Sequence, residues 1–111
     1  MIDVETRGTD MKIGYGSLRF FLHGNNSLKG KRKVIRAIKD RLKNKFNVSV
    51  AEVGDQDVWQ SIHLGIVAVN ADAQYLDGLL KQVVKFIDNM HLAEMTDCQT
   101  EIIEVHKRYA D

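Results

Sequence analysis

Twice along this chain, apolar residues that alternate give way to apolar residues that recur every three or four positions. That double switch of period constrains the fold more than any other feature. From Lys12 to His23, Leu18, Phe20 and Leu22 share one face of an extended segment, and Tyr15, Ser17, Arg19, Phe21 and His23 share the other. At 100° per residue, Val34, Ile35, Ile38, Leu42 and Phe46 then fall within about 120° of one another, which predicts a helix with one buried stripe. Ser27 stands where the N-cap of that helix belongs.

"NVSVAEV", residues 47–53, reads as a second strand from its β-branched residues, with Gly54 and Asp55 supplying turn chemistry at its end. "HLGIVAVN", His63 to Asn70, is a nearly continuous apolar run and predicts a central strand buried on both faces. Asn70 or Asp72 is placed to cap a second helix, in which Leu76, Leu79, Leu80, Val83, Val84 and Ile87 recur at helical spacing. Cys98, Thr100 and Ile102 share one face of a last strand.

The order β-α-β-β-α-β, with each helix apolar on one side only, predicts an α+β fold. It is the ferredoxin-like split βαβ sandwich, a four-stranded antiparallel sheet with both helices on one face. Right-handed crossovers set the strand order as 4-1-3-2. The 111 residues leave room for one domain, expected over residues 11–111. Residues 1–10 lack periodicity and read as a flexible extension.

A single cysteine excludes an intramolecular disulfide, and no Cys/His pairs stand at zinc-ligand spacing. No metal and no cofactor is expected. The polar, acidic N-terminus has no apolar signal core, and no window approaches the 20 or so apolar residues of a membrane span. The expectation is a cytoplasmic protein with no membrane partner.

Charge is distributed unevenly. Residues 29 to 45 carry nine Lys or Arg and one Asp, so a segment of +8 sits in a chain of net charge +1. Such asymmetry speaks about partners, and the partner it favours is an anion. Lys29, Arg32, Lys33, Arg36, Lys39 and Lys43 project opposite the apolar stripe of the first helix, and a structural helix would ordinarily offset them with i,i+4 acids. The basic helix, residues 28–46, is therefore a candidate surface for structured RNA or the ribosome, with Lys29, Lys31, Arg32, Lys33, Arg36, Lys39 and Lys43 as its contacts. The competing reading is a solubilising helix face on a homo-oligomeric scaffold that contacts only proteins.

Three blocks, "SLKGKR" at 27–32, "FNVSVAEV" at 46–53 and "QDVWQ" at 56–60, resemble in order and spacing the YlxP-like family of small bacterial proteins. The resemblance runs from Met11 to about Ile103. It implies a single ferredoxin-like domain and carries no catalytic residue, because the family has no established biochemical function. Its genes often lie beside those for translation initiation factor 2 and ribosome binding factor A, an association that implies a role near ribosome assembly or translation. The family commonly has Glu where this chain has Gly30, which removes half of a capping box and leaves the helix start more positive.

Other motifs carry less. Gly24 and Gly30 enclose five residues and Arg32 follows Lys31, so the segment is no Walker loop. Ser27 with Lys29, Lys31 and Arg32 is a weaker candidate for one phosphate contact at the helix start, the alternative being a plain N-cap. That turn is also where a small phosphate-handling enzyme of acylphosphatase-like topology would place its site, a minor alternative because Asn70 is poorly positioned to serve it. The sheet face offers Tyr15 and Phe21 on strand one but no aromatic on strand three, which argues against base stacking there. Those residues, with Trp59 in "GDQDVWQSIH", are expected at an interface of a homo-oligomer. His63 and the loop carboxylates fit no catalytic spacing, and Cys98 is expected as a buried thiol. The chain is expected not to be an enzyme.

Overall fold

The computed structural model describes residues 11–105; the expected extension at residues 1–10 lies outside them. The elements are β1 (Lys12–Phe21), α1 (Leu28–Lys45), β2 (Ser49–Gly54), β3 (Ser61–Asn70), α2 (Ala73–Asp88) and β4 (Glu94–Glu104). They form one antiparallel sheet in the order β2-β3-β1-β4, the ferredoxin-like arrangement that the periodicity implies.

Both helices cover the same face. Leu18 and Phe20 of β1, Leu22 just beyond it, Val50 of β2 and Ile62, Leu64 and Ile66 of β3 meet Ile35, Ile38 and Leu42 of α1 and Val83 and Ile87 of α2 in one core. Ser27 caps α1 by accepting from Gly30 N–H at 3.0 Å. Asp72 caps α2, its carboxylate accepting from the N–H groups of Gln74 and Tyr75. Asn70 instead steadies the cap, accepting from Asp72 N–H at 2.9 Å. Gly14 marks the closest approach of α2 to the sheet, since a Cβ there would stand 3.1 Å from Leu80 Cδ1.

Two expectations are overturned. β3 is covered on one face only: Ile62, Leu64, Ile66 and Ala68 are buried, whereas Val67 and Val69 are exposed. With both helices on one side, nothing among the described residues covers the other face. Cys98 is exposed rather than buried. It pairs with the buried Leu18 and so lies on the helix side of the sheet, as the alternation implies, but β4 is the sheet edge. There α2 leaves an open groove of about 700 Å³, lined by Lys81, Val84, Lys85, Met95 and Cys98.

Candidate nucleic-acid interface

The exposed side of α1 is a field of cations that form no ion pair among the described residues. Lys29, Arg32, Lys33, Arg36, Arg41 and Lys43 are exposed and Lys39 is half-buried. Ion pairs among the described residues join Lys12 to Glu104, Arg19 to Asp55, His23 to Glu94, Lys31 to Glu52 and Lys81 to Asp77, and none involves those seven. α2 behaves as a solvated helix ordinarily does, pairing Asp77 with Lys81 one turn on at 2.9 Å. α1 has no acid in its first turn and carries Lys29 there, against the helix dipole. Arg32, Arg36, Lys39 and Lys43, with Ile35 and the carboxylates of Asp40 and Glu52, line a shallow groove of about 340 Å³ between α1 and β2.

Lys31 does not belong to this surface. It is 1% exposed, and its ammonium donates to the carbonyls of Asp55 and of Val58, the latter at 2.9 Å, while pairing with Glu52 Oε2 at 3.0 Å. Its position explains the burial, because residues 31, 35, 38 and 42 follow one helical stripe and Lys31 continues the line of Ile35, Ile38 and Leu42. It fastens the loop between β2 and β3 to the first turn of α1. Direct contact with an RNA phosphate is thereby withdrawn from Lys31.

Ser27 is likewise occupied, its hydroxyl serving as the N-cap. Beside it, Asn25 Nδ2 donates to the Ser27 carbonyl at 2.8 Å and to the Trp59 carbonyl at 2.7 Å. Gly30 makes this possible, since any Cβ at that position would collide with Asn25 Oδ1. The glycine that lacks a capping-box carboxylate thus admits a bridge between the helix start and the Trp59 loop. Asp55, at the head of that loop, adopts a left-handed φ of 54°, which Asp tolerates better than most residues. Its carboxyl is held below the usual range, first by the Ser61 hydroxyl at 2.6 Å and also by the Arg19 guanidinium at 3.1 Å, against the opposing effect of burial.

Tyr15 and Phe21 lie on the sheet face opposite the helices, six residues apart along β1, and Trp59 lies in the loop at the end of the sheet. Tyr15 donates to Glu101 at 2.5 Å, and that bond with the adjacent charge holds its hydroxyl above the usual phenol range. Phe21 stands edge-on to His23 with ring centres 4.6 Å apart. Ser17 Oγ and His63 Nε2 are hydrogen-bonded at 2.7 Å beside a hollow of about 400 Å³ that includes Val53, Gly65 and Val67. This Ser–His pair is not legible in the sequence, because it depends on the β1–β3 register.

No helix among the described residues is long and apolar enough to cross a membrane. Among solved structures, the chain is similar in fold to the de novo designed protein Foldit4, at 14% identity and a TM-score of 0.49 over 88% of this chain and 99% of that one. It is also similar to a dimeric ferredoxin-like protein from an uncultured marine organism, at 9% identity and a TM-score of 0.43 over 95% and 97%. In sequence it is 39% identical to the Uncharacterized protein YlxP of Bacillus subtilis (strain 168) across 80% of this chain and 97% of that protein. Residues 13–100 match the family described as Protein of unknown function (DUF503), and the chain belongs to that YlxP-like family.

Proposed function

We propose that this protein is a non-enzymatic RNA-binding protein acting on structured RNA, at the ribosome or during its assembly, with α1 as the contacting element. One observation carries the reading: six basic side chains, Lys29, Arg32, Lys33, Arg36, Lys39 and Lys43, share the outer side of a single helix, and among the described residues none of them has a carboxylate partner. Like charges left adjacent destabilise a helix by a few tenths of a kcal/mol per pair, a cost that a polyanion removes. Neighbouring positions on such a face lie roughly 5–6 Å apart, close to the spacing of backbone phosphates. The contacts are made to phosphate, so the binding is salt-sensitive and weakly selective for sequence. The test is a salt titration of RNA affinity for the wild type and for the Arg32→Glu, Arg36→Glu, Lys39→Glu triple variant, in which binding is lost while the fold remains.

A second reading concerns self-association, and the open sheet face favours it. Ile13 pairs with Val69 and with Ile103, and beside them Val67 is also exposed, so an apolar patch lies at one end of that face. We propose that a second copy covers this patch through a two-fold axis, leaving α1 of each copy free on the far side.

A further inference from the structure

We infer that Trp59 is a stacking platform for an unpaired base of the RNA whose phosphates α1 holds; the inference rests on the RNA reading above. Trp59 is 48% exposed, and Val58 beside it is almost equally so. A large aromatic at a loop tip costs apolar exposure, and a flexible loop would reduce that cost by folding the ring back. This loop is not free to do so. Lys31 holds the carbonyls of Asp55 and Val58, Asn25 holds that of Trp59, and Leu22 N–H donates to that of Gln60 at 2.7 Å. Val58 N–H closes the turn onto Asp55 O at 3.0 Å. The backbone carrying the ring is therefore fixed on both sides, which lowers the ordering cost of receiving a base on it.

The platform also stands at the helix. One amide nitrogen, Asn25 Nδ2, joins the Trp59 carbonyl to that of Ser27, the cap of the helix whose first two turns expose Lys29, Arg32 and Lys33. Asp57, exposed in the same loop, repels phosphate, so the loop meets the base side of a strand whose backbone lies along α1. A base within a duplex cannot stack on a side chain without leaving its neighbours, whereas a bulge, loop or strand end offers its face freely. The partner this geometry selects is RNA in which an unpaired nucleotide adjoins a run of phosphates. Alanine substitution of such a stacking aromatic weakens binding on the order of tenfold to a hundredfold, with little dependence on which base is present.

Trp59 is the sole tryptophan of the chain, so its fluorescence reports the contact directly. The experiment titrates the full chain with two RNAs of equal phosphate number, a blunt duplex and a duplex interrupted by three unpaired nucleotides. The interrupted RNA is expected to bind at least tenfold more tightly and to quench the emission. Trp59→Ala is expected to bind both RNAs with the wild-type affinity for blunt duplex and an unchanged salt dependence, and Trp59→Phe to keep most of the preference. Circular dichroism of each variant verifies the fold. Salt-sensitive binding with no preference between the RNAs, with unaltered emission, or with a preference that survives in Trp59→Ala overturns the stacking inference and leaves the helix reading standing. Absence of salt-sensitive binding to either RNA overturns both.

Discussion

Replacing Lys31 by Met removes a buried ammonium while keeping most of its apolar stem, and so isolates what the charge contributes. Two carbonyls, of Asp55 and Val58, lose their donor, and the Glu52 carboxylate, whose buried Oε2 accepts no hydrogen bond, loses its ion-pair partner at 3.0 Å. A buried acceptor left unpaired costs about 1–3 kcal/mol, and breaking a buried ion pair by removing one member about 3–5 kcal/mol. Both figures need reduction, because the carbonyls lie in a surface loop and the Glu52 side chain is 24% exposed. The expected loss is about 3 kcal/mol, a large share of the 5–15 kcal/mol or so that holds a domain folded. Lys33→Met, a turn-mate in solvent, should cost under about 0.5 kcal/mol. Adding Glu52→Leu to Lys31→Met removes the stranded carboxylate and should recover at least about 1 kcal/mol. Urea denaturation followed by circular dichroism measures all three, with the midpoint shifting and the slope unchanged. Equal midpoints for Lys31→Met and Lys33→Met would refute the assignment of Lys31 as the fastener of the loop.

Cys98 is exposed yet its thiol is pushed above its ordinary pKa of 9.0, by partial burial first and by the Asp97 carboxylate second. Since the thiolate is the nucleophile, native protein should be alkylated by iodoacetamide to completion but with a pH midpoint above that of the same protein in urea; a lower midpoint contradicts this environment. If the apolar patch of Ile13, Val67, Val69 and Ile103 joins two copies, Val69→Glu, at the centre of the patch and 59% exposed, should sediment as a smaller species than wild type with the helical signal intact. A wild type that stays monomeric at high micromolar concentration removes the second copy.

The helices and their buried faces are legible in the sequence because periodicity is local: Ile35, Ile38 and Leu42, like Leu76, Leu80, Val83 and Ile87, announce a face with no knowledge of what meets it. Burial of β3 is not, since an apolar run marks a strand that can be covered on either side but says nothing of where the helices lie. The same holds at Cys98, where alternation fixes the strand face and only the sheet order reveals that the residue is at an edge. Lys31 is an intermediate case. Its spacing from Ile35 and Ile38 signalled burial, and its charge masked the signal, because its partners belong to a loop some 25 residues away in sequence. The basic stripe needed no tertiary knowledge to find; that no acid from elsewhere in the described chain comes to neutralise it did.

That stripe is where the account is most exposed to measurement. About four phosphate contacts made at once imply that log affinity for structured RNA falls with log salt at a slope of about −3 to −4 between about 50 and about 200 mM. The Arg32→Glu, Arg36→Glu, Lys39→Glu variant should lose this binding while its denaturation midpoint stays close to that of the wild type, since none of the three lies on the buried stripe of α1. Equal RNA affinity for the wild type and this variant across that salt range would contradict RNA binding by α1.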